Sequence, residues 1–132
     1  MKNNLDLARG LVQKAGNDLK LAEIGLEHEA PLDTIAFHLQ QTAEKLIKAL
    51  LASLGVIYPK THDLDELLDL VPAELSDIHS FRERILGWNS YAVDMRYEIG
   101  VYPEKEEIQA AMQTAKDLSA AVSKRFESGP AK

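Results

Sequence analysis

Between Ile35 and Leu54 an apolar residue returns every three or four positions, and the run stops at Gly55 and Pro59. Ile35, Leu39, Ala43, Leu46, Ile47, Leu50 and Leu54 form one stripe, the spacing of a helix with a buried side. A glycine just past the last turn and a proline shortly after it are helix stop signals. Thr61-His62-Asp63 follows and opens a short helix. Asp63 and Glu66 have the spacing of a capping box, with Asp in the Ser/Thr position, and Thr61 is the competing cap. Such a unit is stable only if other helices cover its stripe, which restricts the rest of the chain to a helical packing.

The remaining sequence supplies those helices. Leu5, Ala8, Leu11, Val12, Ala15, Leu19, Ala22 and Leu26 recur at helical spacing, with Asn3 or Asn4 as cap. Gly10, Gly16 and Gly25 lie inside this helix and read as points of close packing. His28-Glu29-Ala30-Pro31 is the first break, after which Asp33 or Thr34 is a candidate cap. Leu64, Leu67, Leu68 and Val71 face inward from the short helix, which Pro72 closes. A further helix is predicted from Leu75 or Ser76 through Met95, with Leu75, Ile78, Phe81, Ile85, Trp88 and Ala92 inside and Gly87 as a bend. Gly100 and Pro103 bracket a loop. Glu104 to Glu107 place negative charge at the start of the last helix, where the dipole favours it. Its core residues are Ile108, Ala111, Met112, Ala115, Leu118, Val122 and Phe126. Short connections favour antiparallel neighbours. The expected fold is all-α: an up-and-down antiparallel helical bundle of four main helices plus one short helix. Residues 1–127 form one domain, and 128–132 a loose tail.

Composition narrows the chemistry. The net charge of −6 over 132 residues gives no bulk attraction for nucleic acid, so any such contact needs a local basic patch. With no cysteine there is no disulfide, thiolate or Cys-based metal site. No signal-peptide pattern or membrane-length apolar run is visible, and a soluble, cytoplasmic protein is expected. His28, His38, His62 and His79 show no metal-ligand spacing, and no cofactor motif occurs. His38 reads as a partly buried helix residue, and His62 as a buttress of the turn.

Two polar clusters remain. Gln40, Gln41, Glu44, Lys45 and Lys48 include i,i+3, i,i+4 and i,i+7 pairs, which place Gln41, Glu44, Lys45 and Lys48 along one helix side. They form either a solvated face or a polar seam, in a groove or at a dimer interface. Glu44 and Lys48 are an i,i+4 pair in the favourable order. The second cluster holds Asp94, Arg96, Tyr97, Glu98 and Tyr102. Arg96 has the chemistry to grip a phosphate bidentately, and the tyrosines to stack on a base. Equally, Arg96 can pair with Asp94 or Glu98 and fix its own loop.

Phe37-His38-Leu39-Gln40-Gln41-Thr42-Ala43-Glu44-Lys45, then Lys48-Ala49-Leu50, Gly55, Pro59-Lys60 and Thr61-His62-Asp63-Leu64, closely resemble the signature of the HEPN domain (higher eukaryotes and prokaryotes nucleotide-binding). Arg96-Tyr97 falls where members often carry an Arg-Tyr pair, and the resemblance spans about Leu5 to Phe126. It implies a helical bundle that commonly forms homodimers. Many small prokaryotic members act with a minimal nucleotidyltransferase as toxin–antitoxin pairs. Ribonucleolytic members cleave RNA without metal through an Arg followed after four to six residues by a His, paired across the dimer.

Arg96 matches that Arg, but Tyr102 stands where the His is expected, and no His follows His79. A phenol is a poor general base at neutral pH. The expected protein is therefore a homodimer that binds a nucleotide, RNA or a nucleotidyltransferase-like partner. Arg96, Tyr97, Tyr102, Lys45 and Lys48 would form its binding surface, and Gln41, Glu44 and Asp94 its groove or dimer seam. Two alternatives stand beside it: a ribonuclease with an atypical Arg-x5-Tyr site, and a structural interaction module.

Overall fold

A computed structural model describes residues 4–93 and 102–127. In chain order the helices are α1 (Asn4–Glu27), α2 (Leu32–Ser53), α3 (Leu64–Asp69), α4 (Ser76–His79), α5 (Asn89–Ala92) and α6 (Lys105–Glu127). The fold is all helical, as the apolar spacing requires. No helix among the described residues is long and apolar enough to cross a membrane.

The core is built around α2. Thirteen of its 22 residues are buried, and α1, α3, α5 and α6 all pack against it. Packing between α1 and α2 is close because α1 offers Ala8, Ala15 and Ala22, each almost fully buried, one every seven residues. Small side chains at this repeat let two helix axes approach. Val12, Leu19 and Leu26 flank them as partly buried side chains. The two helices run antiparallel: Gly25 lies against Ile35, while Asn4 lies beside Gly55. α6 runs antiparallel to α1, with Lys116 paired to Glu23 at 3.1 Å and Phe126 packed with Ala8 and Ala52.

Both ends of this scaffold are closed by the same backbone device. After α2, Gly55 N–H bonds Ala52 O at 3.0 Å and Val56 N–H bonds Leu51 O at 2.9 Å. Gly55 has φ +73°, completing a Schellman motif in which glycine relieves the left-handed residue of steric cost. After α1 the same pair of bonds forms, Ala30 N–H to Gly25 O at 2.8 Å and Glu29 N–H to Leu26 O at 3.4 Å. Here the left-handed residue is Glu29, at φ +59°. Gly25 is a true packing point, since a Cβ there would lie 3.2 Å from Ile35 Cγ1. Gly10 and Gly16 are not: a Cβ on either meets nothing within 4 Å. No side chain caps α2, whose N-cap position is Pro31.

The largest departure from the expected fold detail is the fourth leg. The continuous helix expected from Leu75 or Ser76 does not form among the described residues, which here run to Val93; α4 and α5 are four residues each, joined by turns. Many of the bonds tighten to i→i−3, as in Phe81 N–H to Ile78 O, Arg82 N–H to His79 O and Trp88 N–H to Ile85 O. Ser80 and Ser90 hydroxyls donate to the carbonyls of Asp77 and Gly87 and so compete for helical acceptors. Gly87 turns left-handed at φ +86°. Three residues per turn carry the buried set through Ile78, Phe81, Ile85, Trp88 and Tyr91. The leg still returns antiparallel to α6, through Arg125–Asp77 at 2.6 Å, Arg84–Asp117 at 2.7 Å and the Tyr91 hydroxyl donating to Glu107. The up-and-down order of the bundle is thereby kept.

α3 begins at the predicted Asp63 cap, but the capping box is only half made: the Asp63 N–H bonds Thr61 Oγ1 at 3.1 Å in place of the Glu66 side chain. Asp63 Oδ1 accepts from Asp65 N–H at 2.9 Å and Glu66 N–H at 3.2 Å, and from Asn89 Nδ2 at 3.0 Å. Asn89 Oδ1 accepts the Leu64 N–H at 2.9 Å, so the α3 cap also anchors α5. The Glu66 amide, then Asn89, hold the Asp63 carboxyl below its ordinary pKa of 3.8.

Two tests follow from this backbone chemistry. Glu29→Gly should raise stability by a few tenths to about 1 kcal/mol, while Gly55→Ala should lower it by about 1 kcal/mol or more, both read by urea melts. Asp63→Ala should cost about 1 kcal/mol at pH 7. Because the folded-state pKa of Asp63 is depressed, its contribution is present above 3.8 and is lost as pH falls through the folded value. The difference between wild type and Asp63→Ala should therefore shrink at acid pH.

Candidate functional site

The polar side of α2 is a double network centred on two carboxylates. Glu44 is buried, with its residue only 4% exposed. Its Oε2 accepts from Lys48 Nζ at 2.8 Å, and its Oε1 meets His62 Nδ1 at 2.9 Å. An ionised carboxylate only accepts, so His62 carries its proton on Nδ1, and its Nε2 is left outside this bond. Gln40, fully buried, donates to His62 O at 3.0 Å and to Glu44 Oε1 at 3.3 Å. Gln41 Nε2 donates to Gln40 Oε1 at 2.8 Å and reaches Glu44 Oε1 at 3.5 Å. The Lys48 ammonium also lies 5.8 Å from the Tyr58 ring centroid. Helix α2 is thus fastened to the loop that precedes α3.

Burial alone would raise the pKa of Glu44. The hydrogen bonds from Lys48 and His62, followed by their charges, outweigh it and hold the carboxyl below its ordinary 4.5. A buried carboxylate that stays ionised needs this degree of compensation.

The second centre is Asp18 on α1, which bonds His38 Nδ1 at 2.9 Å and Lys45 Nζ at 2.5 Å. His38 and Lys45 are two turns apart, so they share one edge of α2. The seam expected from Gln41, Glu44, Lys45 and Lys48 therefore divides. Gln41, Glu44 and Lys48 gather with His62, whereas Lys45 turns to α1. Sequence reasoning passed over Asp18. The available signal was a carboxylate between Ala15 and Ala22, bordering the inward stripe of α1.

Both lysines of the expected binding surface are neutralised by carboxylates, and their side chains are only 26% and 15% exposed. Tyr102 stands in front of buried Pro103 with 61% of its surface open. Asp94, Arg96 and Tyr97 lie outside the described residues. Surface grooves open on another side of the bundle, between α1 and α6, lined by Glu23, Leu26, Lys105 and Met112 at one end and Arg9, Val12 and Phe126 at the other. Among the described residues no group of three or more His, Asp or Glu could hold a metal ion.

Glu44→Gln should destabilise the fold by about 1–3 kcal/mol at pH 7, since it strips Lys48 and His62 of their counter-charge. The depressed folded pKa means that the contribution of Glu44 is complete above 4.5 and falls as pH drops through the folded value. Urea melts from pH 7 to pH 3 should show the two proteins converging toward acid.

The HEPN domain family matches residues 8–125. No individual curated protein and no solved structure matches the chain. The match runs from the alanine face of α1 to the last turns of α6 and takes in both carboxylate centres. Nearly the whole chain is accounted for by one family, and the all-helical bundle agrees with it: this protein belongs to the HEPN domain family.

Proposed function

We propose that this protein is a nucleotide- or RNA-binding HEPN domain that works as a homodimer beside a nucleotidyltransferase-like partner, as one half of a toxin–antitoxin pair. The observation that carries the reading is the family match over residues 8–125. A nucleotide- or RNA-related role is what that family supports in general. Within the chain, Arg96 supplies a guanidinium for phosphate and Tyr97 or Tyr102 a ring for a base. The exposure of Tyr102 supports its part, because a ring that stacks on a base must first be open.

The ion pairs on α2 refine this assignment. Lys45 and Lys48 engage a phosphate only by exchanging Asp18 and Glu44 for it, which leaves a buried carboxylate uncompensated. Their role is to shape α2 and to supply a local field. Phosphate contact rests on Arg96, with the tyrosines in support. With Tyr102 where ribonucleolytic members carry a histidine, binding is favoured over cleavage.

Titration calorimetry with nucleoside triphosphates and short single-stranded RNAs tests the reading. Wild type should bind at least one of these classes, and Arg96→Ala should weaken that binding by roughly tenfold or more with helicity unchanged. Tyr102→Ala should weaken it less. Incubation of wild type with RNA in chelator should leave the RNA intact. Cleavage that disappears in Arg96→Ala would instead establish the ribonuclease, and no binding at all would leave an interaction module.

A further inference from the structure

Where α1 ends and α6 begins, two grooves run into one another. One has a volume of about 280 Å³ and is lined by Leu26, Glu29, Ala30, Leu32 and Lys105. The other shares Leu26 and Lys105 and continues past Met112 to Glu23 and Lys116. Leu26, Ala30, Leu32 and Met112 make much of the lining apolar. The two walls differ in charge. Glu23, Glu27 and Glu29 stand on the α1 side, Lys105 and Lys116 on α6. At one end the walls meet in the Glu23–Lys116 pair at 3.1 Å. At the other end the same pairing is left unmade: among the described residues, neither the Glu29 carboxylate nor the Lys105 ammonium has a hydrogen-bond or ion-pair partner.

Both of these residues stand against local preference. Glu29 is left-handed at φ +59°, at a position where glycine is the unstrained choice. It also puts a negative charge just past the C-terminus of α1, and Lys105 puts a positive one on the first residue of α6. Helix dipoles favour the reverse at both places. Glu106 and Glu107, beside Lys105, follow the dipole rule. No bond within the described chain offsets either departure. Departures from local preference that converge on one groove are the mark of a site whose missing contacts a bound molecule supplies.

The lining selects the ligand. A molecule that answers both free charges carries a cation and an anion, and it offers apolar surface to Leu26, Ala30 and Leu32. A divalent cation would satisfy Glu29 but be repelled by Lys105. A nucleoside triphosphate would satisfy Lys105 but be repelled by the glutamate wall. At about 280 Å³ the groove falls just below the range that takes drug-sized ligands, roughly 300–1,000 Å³. The size and the charge pattern together describe a small amphipathic zwitterion.

We infer that this groove binds an apolar amino acid or dipeptide, with the ligand ammonium on Glu29, its carboxylate on Lys105 and its side chain against Leu26 and Leu32. The inference goes beyond the nucleotide- or RNA-binding reading and does not depend on it.

Titration calorimetry at neutral pH with L-leucine and with leucyl-leucine tests it. Wild type should bind at least one of them with a Kd of roughly 1 mM or tighter, and the tighter of the two identifies the ligand as amino acid or peptide. N-acetyl-leucine lacks the ammonium and leucinamide the carboxylate, so each should bind roughly tenfold more weakly or not at all. Glu29→Gly should have opposite effects on its two readouts, raising the urea midpoint while weakening leucine or leucyl-leucine binding roughly tenfold. Glu29→Gln should weaken binding as much, because the ligand uses the charge and not the turn. Lys105→Gln should do the same with circular dichroism unchanged. No binding of either zwitterion up to roughly 10 mM overturns the site. Binding that survives the Glu29 and Lys105 substitutions, or that the two blocked analogues equal, overturns it as well.

Discussion

Glu44 is buried and charged, and α2 could not occupy the centre of the bundle unless that charge were answered from within. A helix packed by α1, α3, α5 and α6 has little solvent left for polar side chains. Gln40 is fully buried and Glu44 nearly so, yet both find partners in Lys48, His62 and the His62 carbonyl. These bonds do more than offset desolvation. They fix the residues just before the α3 cap, and Asn89 then joins that cap to the fourth leg. The order of dependence runs from one buried carboxylate through a loop to two further helices.

The same compensation limits where a phosphate can be held. Lys45, Lys48, Arg82, Arg84, Lys116 and Arg125 each have a carboxylate within ion-pair distance. The exposed pairs contribute little individually and are readily exchanged. The Asp18 and Glu44 pairs are more enclosed, and opening them exposes an unmatched charge in a poorly solvated place. On the proposed reading, this separation of duties assigns the lysines of α2 to architecture and leaves recognition to Arg96 and the tyrosines.

Local signals were legible in the sequence, and signals that depend on a second element were not. Gly55 and Asp63 act within a few residues of themselves, so the stop of α2 and the start of α3 could be read directly. Glu29 in a left-handed conformation could not, because the turn is imposed by the tight α1–α2 packing against the residue's own preference. The fourth leg shows both sides of the rule. Its apolar stripe was visible, but the tighter winding was not, and so Tyr91 was missed as a core residue. Asp18 escaped notice for the same reason: its importance arises only when α2 brings His38 and Lys45 against α1. The family resemblance carried further than the individual contacts because it summarises a whole packing arrangement.

The two sides of α1 follow from one constraint. Its alanines bring it close enough to α2 for Asp18 to reach Lys45 directly. This closeness leaves α1 attached mainly along a single side, since its packing on α6 is much lighter than on α2 and shallow grooves open between the two. Large residues on the inward face would close those grooves, but they would push α1 away and break the Asp18 pairs. The large apolar residues that α1 exposes most, Leu7, Leu21 and Ile24, are therefore placed where they cannot disturb the α2 contact, while Val12, Leu19 and Leu26 pack beside the alanines.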